Sequence, residues 1–118
     1  MTTSNESNNR RISSMWTEAG IQFRSNILKK GEVLPLHVHN YDHVSMVTQG
    51  HFKVKEVTKD GEIIEYIMSS KDYPAISIRY RIVIPAWHKH EFTLLSEVGE
   101  VLCMWVGKPD NESQEDRC

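Results

Sequence analysis

The sequence is organised around one stretch, Gly31-Glu-Val-Leu-Pro-Leu-His37-Val-His39-Asn-Tyr-Asp-His43-Val-Ser-Met-Val-Thr-Gln-Gly50. Three histidines fall within seven residues, between two glycines. Side chains in a strand alternate between its two faces, so we expect His37 and His39 to point to the same side. If the chain then turns back, His43 approaches them from the next strand. The stretch therefore predicts three imidazoles around one point, a suitable first shell for a transition metal.

Length and composition indicate a single globular domain. The chain has 118 residues, of which 39% are hydrophobic and 25% charged. A net charge of −2 gives no basic excess to neutralise a phosphate backbone, which disfavours nucleic-acid binding. No apolar run approaches the roughly 20 residues of a membrane helix, and the polar N-terminal residues lack the apolar segment of a signal peptide. We therefore expect a cytoplasmic protein with no nucleic-acid or membrane partner, and two cysteines do not imply a disulfide framework.

The folded part is predicted to be built from strands. Residues 1–14 are interpreted as a polar N-terminal tail and residues 108–118 as a polar, acidic C-terminal tail, which leaves a domain over 15–107. No stretch shows a sustained helical period, although Ser14–Ala19 could form one helical turn. About eight short β-prone segments with turn residues between them predict an all-β antiparallel sandwich or barrel. Their predicted bounds are Ile21–Arg24, Val33–His39, Val44–Thr48, His51–Thr58, Glu62–Met68, Ile76–Ile84, Glu91–Leu95 and Val101–Val106.

Local signals add detail to this pattern. Lys59-Asp60-Gly61 between two alternating runs predicts a β-hairpin. The five residues 96–100 predict a second hairpin, between the last two strands. Pro35 has no N–H to donate, so it predicts an edge strand or a bulge.

The histidine stretch resembles the first motif of the cupin superfamily. The spacing Gly31-x5-His37-x-His39-x3-His43-x6-Gly50 fits that motif, except that the family has a glutamate where this chain has His43. The resemblance, to a small single-domain cupin, covers residues 31–94 by motif. It implies a jelly-roll β-barrel that is commonly dimeric and holds its metal inside the barrel.

The second cupin motif is matched less completely. Its pattern is Gly-x5-Pro-x-Gly-x2-His-x3-Asn, and Pro85 and His90 stand at the proline and histidine positions. Arg79, Trp87 and Leu94 replace the two glycines and the asparagine. The resemblance implies four metal ligands, namely His37, His39, His43 and His90.

Replacement of the glutamate by His43 changes the expected chemistry. Four neutral imidazoles leave a divalent ion at charge +2, which suits Fe²⁺, Ni²⁺, Cu²⁺ or Zn²⁺ better than Mn²⁺ and attracts a small anionic substrate. Dioxygenase chemistry is the leading hypothesis, with Fe or Ni favoured for a catalytic site. The alternatives are a non-enzymatic sensor or storage protein, an O₂-independent lyase or isomerase with His88 as a candidate base, and a structural Zn²⁺ site.

Several other residues are candidates for a role near the site. Asp42 is interpreted as a hydrogen-bond acceptor for a ligand histidine or as a turn residue. Arg79 and Arg81 are expected to point outward, since unpaired charges are rarely buried. His51 is expected at the surface without a role, and Trp16 could cover the pocket. Aromatic and sulfur-containing residues that could form its wall, or simply the core or dimer interface, are Trp87, Met104 and Trp105.

Overall fold

A computed structural model describes residues 12–73 and 79–107. Within these ranges the chain forms nine β-strands. Among the described residues, no helix is long and apolar enough to cross a membrane. The strands are β1 (Ile12–Glu18), β2 (Ile21–Lys29), β3 (Val33–His37), β4 (His43–Gln49), β5 (His51–Val57), β6 (Ile63–Ser69), β7 (Arg81–Ile84), β8 (Lys89–Leu94) and β9 (Val98–Val106).

The strands form two antiparallel sheets packed face to face. The five-stranded sheet has the order β1-β2-β9-β4-β7 and the four-stranded sheet the order β3-β8-β5-β6. This arrangement confirms the predicted all-β sandwich. Burying apolar residues between the two sheets is the main source of stability for such a fold. The buried core consists of Leu28, Leu34, Val47, Phe52, Val54, Met68, Ile84, Phe92, Leu94, Val101 and Cys103.

The apolar residues of β2 suggest that one set of alternate side chains faces the core, but the other, mostly polar set does. Leu28 lies in the core, and residues two apart share a face, so Asn26, Arg24 and Gln22 point inward with it. All three are buried. The apolar residues between them, Ile21, Phe23 and Ile27, are half-buried on the opposite side of the sheet.

That opposite side is an extended apolar surface, which we call the outer face. Cross-strand register places its members side by side over the five strands. Glu100 interrupts it, and its carboxylate accepts hydrogen bonds from the hydroxyls of Ser25 and Thr48. The apolar members are Ile12, Trp16, Ile21, Phe23, Ile27, Val44, Met46, Val83, Leu102, Met104 and Val106.

The start of the described chain differs from the prediction. The segment expected to be tail and then a helical turn is strand β1, which pairs with β2 from Ile12 opposite Ile27 to Glu18 opposite Ile21. The turn between the two strands places Ala19 and Gly20 at positive φ, 51° and 79°, a geometry typical of tight hairpins. Pairing with a neighbouring strand therefore decides the conformation of this segment, which short-range helix signals miss.

The two predicted hairpins have different outcomes. The turn at Lys59-Asp60-Gly61 is confirmed, since β5 pairs with β6 and the Thr58 N–H donates to the Glu62 carbonyl at 2.8 Å. The second hairpin is wrong. β8 already pairs with β3 and β5, and the chain crosses to the other sheet, where β9 pairs with β2 and β4. Turn residues signal a change of direction but do not say whether the next strand stays in the same sheet.

Two further strand predictions concern β3 and β7. Pro35 lies in β3, which is an edge strand with a register shift between Leu34 and His37, as predicted. The strand predicted over Ile76–Ile84 is Arg81–Ile84 in the structure, and residues 76–78 lie outside the described ranges.

Candidate metal centre

Three histidines meet at one end of the sandwich. His37 ends β3 and stands directly opposite His90 of β8, with ring centroids 4.2 Å apart. His39 follows two residues later. One ring nitrogen from each of the three lies within 4.8 Å of the others. Strand pairing thus brings together the two sequence windows that contain these histidines, as the predicted site requires.

His39 reaches the group from a loop, because β3 ends at His37. Two backbone N–H groups of the loop at residues 85–88 hold the loop that contains His39. The Trp87 N–H donates to the His39 carbonyl, and the Ala86 N–H donates to the Asp42 carboxylate, both at 2.8 Å. Asp42 therefore fixes the loop that carries His39.

Backbone carbonyls orient two of the three rings. Nδ1 of His37 lies 2.7 Å from the Pro35 carbonyl, and Nδ1 of His90 lies 3.3 Å from the His88 carbonyl. A carbonyl oxygen can only accept, so in the neutral rings the proton is on Nδ1 and the lone pair is on Nε2. Such a bond commonly orients a histidine that binds metal through its other nitrogen. The three residues therefore fit a divalent transition metal, with His37 and His90 using Nε2.

His43 lies beside this group at the start of β4. Its ring centroid is 5.1 Å from that of His39 and 4.9 Å from that of His90, and the residue is 3% exposed. Burial first, and then the charges of the neighbouring histidines, lower the pKa of His43 to about 2. In the described part of the chain neither of its ring nitrogens has a hydrogen-bond partner.

His43 thus has the chemical character of a ligand, a neutral imidazole with unbonded nitrogens. The ring nitrogens of His43 do not belong to the group formed by His37, His39 and His90, whose nitrogens lie within 4.8 Å of one another. Its predicted role as a fourth ligand stays a prediction.

A carboxylate that the sequence analysis missed stands next to the histidines. Glu56 of β5 is directly opposite His90, and it is buried. Its Oε2 lies 2.5 Å from Nδ1 of His88, and its Oε1 accepts from the Tyr66 hydroxyl at 3.0 Å. Burial and the adjacent Glu56 raise the pKa of Tyr66. The alternation Phe52, Val54, Glu56 placed this carboxylate on the core face and was the signal that could have found it.

An open cavity of about 390 Å³ reaches His43. Tyr41 forms part of its wall and stacks on both His39 and Trp105, with ring centroids 4.8 Å and 5.3 Å away. The volume of the cavity is within the range of small-molecule sites. Met104 and Trp105 also line it, as predicted.

Solved structures with the same architecture match the chain. A protein of unknown function from Streptococcus pyogenes, SPY1581, has a TM-score of 0.62 and 17% identity over 86% of this chain and 77% of its own. KdgF from Halomonas sp. has a TM-score of 0.65 and 19% identity over 84% and 80%. A variant of Bacillus subtilis oxalate decarboxylase has a TM-score of 0.73 and 18% identity over 88% of this chain but only 27% of its own.

The chain has the cupin fold. No family model matches it, and no curated protein sequence does. At these identities the likeness establishes the fold, and the chemistry has to be argued from the site itself.

Trp87 stands where the second cupin motif has a glycine, and its backbone keeps a glycine-like conformation. Its φ is +69°, in the left-handed region that L-residues rarely adopt. The turn is closed by the His88 N–H, which donates to the Pro85 carbonyl at 3.2 Å. The indole itself is largely exposed and does not line the cavity. The position therefore has a glycine-like backbone conformation although the residue is a tryptophan.

The remaining candidates lie away from the histidine centre. Arg79 and Arg81 are exposed, as predicted, and the Arg81 guanidinium donates to the Tyr80 hydroxyl at 2.8 Å. Trp16 does not cover the site, because it stacks on Phe23 on the outer face with ring centroids 5.3 Å apart. His51, half-buried, has Nδ1 2.6 Å from the Ser69 hydroxyl.

Proposed function

We propose that this cupin is a metal-dependent enzyme that acts on a small anionic molecule, with dioxygenase chemistry as the leading reaction class. The observation that carries the proposal is the convergence of nitrogens from His37, His39 and His90 within 4.8 Å of one another, with no carboxylate in the group. Oxalate decarboxylase and oxalate oxidase, two enzymes whose structures resemble this fold, are named for a small dianion, which supports an anionic substrate.

The ligand set favours particular metals. Neutral imidazoles leave a divalent ion at its full charge, and nitrogen ligands suit Fe²⁺, Ni²⁺, Cu²⁺ and Zn²⁺. We propose Fe²⁺ or Ni²⁺ for a catalytic site. A bound ion of this kind supplies Lewis-acid polarisation of the substrate and, for Fe²⁺, redox chemistry with O₂.

The residues of the chain have separate tasks in this proposal. His37, His39 and His90 hold the ion, and His43 is the proposed fourth ligand. Tyr41 and Trp105 form an aromatic wall that limits the size of the substrate and keeps water from one side of it.

One observation favours a second candidate, an O₂-independent lyase or isomerase. The Glu56 carboxylate contacts Nδ1 of His88, which in the neutral ring leaves the lone pair on Nε2. A histidine oriented by a carboxylate is a common general base. In this alternative His88 moves the proton while the metal orients the substrate.

Metal analysis followed by oxygen uptake separates the candidates. Untagged protein is assayed for bound metals, reconstituted with Fe²⁺ under anaerobic conditions, and tested for O₂ consumption with a panel of thiols, diketones and enols. We expect one metal per chain and uptake with at least one anionic compound. Stoichiometric Zn²⁺ with no uptake after Fe²⁺ reconstitution would indicate a structural site, and product formation without uptake would favour the lyase or isomerase.

We also propose that the protein is a homodimer formed through the outer face. This surface presents apolar side chains on five neighbouring strands, which is more than an isolated soluble domain usually exposes. The hydroxyls of Ser25 and Thr48 donate hydrogen bonds to Glu100, the carboxylate in the middle of this face, and replace part of its hydration when the face is buried. The other charged residues on this side, Glu18, Lys29 and Arg81, lie at its margins. A second copy of the same surface would complement its apolar centre.

A further inference from the structure

The cavity that reaches His43 has walls of two kinds. On one side, Tyr41 and Trp105 form the aromatic wall. The other side consists of apolar side chains that belong to the outer face. Two of them, Val83 and Val106, are 60% and 80% exposed although they line the cavity. The cavity therefore opens on the outer face. The outer-face residues in its lining are Val44, Val83, Met104 and Val106.

The mouth of the cavity lies in an apolar row that crosses the whole five-stranded sheet. Three members of this row line the cavity, and the two at its other end stack on each other with ring centroids 5.3 Å apart. A surface that packs on this row therefore also covers the cavity. In their order across the sheet, the members of the row are Trp16, Phe23, Met104, Val44 and Val83.

The outer face has the size of a protein interface. It extends over five strands, which are four spacings or roughly 19 Å, and along β1 it extends for about 20 Å from Ile12 to Glu18. With the side chains at its border, this area comes near the value of about 800 Å² that each partner buries in a standard interface. A second copy of the chain offers a surface of the same size and the same apolar character.

We propose that a second copy of this chain supplies the outer wall of the cavity, so that the cavity beside His43 is complete only in the dimer. This inference rests on the dimer proposed under the function of the protein. It goes beyond that dimer because it makes the partner a part of the site. The wall that the partner supplies is apolar, since it comes from the same outer face.

The closed cavity differs from the open one in its access to water. The partner excludes water from the side that Val83 and Val106 leave exposed. Electrostatic interactions are stronger where water is excluded, so a charged group of a ligand near His43 is held more firmly in the dimer. The apolar part of the same ligand lies between the aromatic wall and the partner.

Quenching of Trp105 fluorescence by acrylamide measures access to the cavity and needs no known ligand. The chain has three tryptophans, and Trp16→Phe combined with Trp87→Phe leaves only Trp105, which lines the cavity. Chelator-treated protein is measured over a concentration series, with light scattering on the same samples. We expect the quenching constant to fall several-fold as the dimer forms, because the partner closes the mouth of the cavity.

Trp16→Lys in place of Trp16→Phe gives a matched monomer. Trp16 is 41% exposed on the outer face and does not line the cavity, so the lysine places a charge in the contact without changing the cavity. Quenching of Trp105 should then keep its high value at every concentration. Trp16→Phe combined with Trp105→Phe leaves Trp87, which is exposed and outside the cavity lining. Its quenching should not depend on concentration.

Light scattering separates this inference from the dimer proposal. A dimer in which Trp105 is quenched as strongly as in the monomer would overturn the inference and leave the dimer standing. Weak quenching at every concentration, in Trp16→Lys as well, would show that the chain closes the cavity by itself, which also contradicts the inference. A chain that is monomeric throughout refutes the dimer and the inference together. The protein is free of metal in all samples, so these outcomes do not depend on the metal proposal.

Discussion

At the scale of single residues, the histidine centre depends on rings that are held in place before any ion arrives. His37 and His90 each use Nδ1 against a backbone carbonyl, which settles the tautomer without a carboxylate. The ligand nitrogens are therefore oriented by the strand backbone itself, and this orientation lowers the entropic cost of binding a metal.

Removal of single ligands tests this centre. We expect His37→Ala and His39→Ala each to abolish stoichiometric binding of Fe²⁺ or Zn²⁺, because each removes one of the three ring nitrogens that converge within 4.8 Å of one another. Metal content after dialysis, measured by plasma mass spectrometry, is the readout. His51→Ala, which changes a histidine outside the group, should retain metal. One metal per chain in His37→Ala would contradict the assignment.

The buried ring of His43 should make the metal-free protein sensitive to acid. Its pKa is about 2 in the folded protein and 6.5 in the unfolded chain. Between these values the unfolded state binds a proton that the folded state does not. The free energy of unfolding should therefore decrease as the pH falls below about 6.5, by up to about 1.4 kcal/mol per pH unit from this residue.

Urea denaturation of chelator-treated protein at several pH values between 5 and 8 measures this effect. His43→Phe removes the titrating group, so its stability should fall less steeply with pH than that of the wild type. The difference between the two curves gives the contribution that depends on the His43 ring. Parallel curves for the two proteins would show that His43 does not titrate as inferred.

The sequence predicted the histidines better than the residues around them. Strand alternation predicted that His37 and His39 share one side, and the resemblance to the second cupin motif added His90, which the structure places with them. Glu56 was missed although it is in phase with the apolar residues Phe52 and Val54. The inward position of Arg24 was missed because the apolar residues of β2 alternate with it, and alternation does not reveal which face is inside.

At the scale of strands and turns, the second glycine of the first motif has a packing role. Gly50 has a φ of +89°, and a Cβ atom there would lie 2.5 Å from the Val98 carbonyl oxygen. Gly61 has a similar φ of +92° but no atom within 4 Å of such a Cβ. The two positions therefore separate the cost of backbone strain from the cost of a steric clash.

Alanine substitution should destabilise the two turns unequally. Gly61→Ala should cost about 1–2 kcal/mol, the penalty for a left-handed L-residue. Gly50→Ala should cost about 1–3 kcal/mol more, because backbone atoms must also move. Chemical denaturation measures both values. Equal losses would show that the contact with the Val98 carbonyl is relieved at no cost.

Element prediction succeeded where the signal was local. The strands from β2 to β9 each overlap a predicted segment, and the Asp60-Gly61 turn defines its hairpin. β1 was missed because its strand conformation depends on β2 as a partner. The crossing from β8 to β9 was missed because sheet membership is decided by long-range pairing.

At the scale of the whole molecule, the outer face predicts a dimer. Val106 is 80% exposed there, so Val106→Lys should leave the fold intact while it places a charge in the contact. We expect wild-type protein to be dimeric by light scattering, and Val106→Lys to dissociate at concentrations at least tenfold higher than those that dissociate the wild type. Burying one unpaired charge in an interface costs enough for a change of that size.

A matched substitution on the other sheet serves as the control. Ile63 of β6 is 60% exposed, so Ile63→Lys adds the same charge away from the outer face. It should remain dimeric. A wild-type protein that is monomeric at all concentrations, or a dimer broken by Ile63→Lys alone, would refute the proposed interface.

The pairing of His37 with His90 also determines when, during folding, the metal can be bound. The two residues are far apart in the chain and meet only when β8 docks against β3. Such long-range antiparallel pairing folds slowly, on the millisecond-to-second scale. A newly made chain therefore cannot hold its metal tightly until the barrel has closed, and tight metal capture during refolding should show a lag equal to the time of closure.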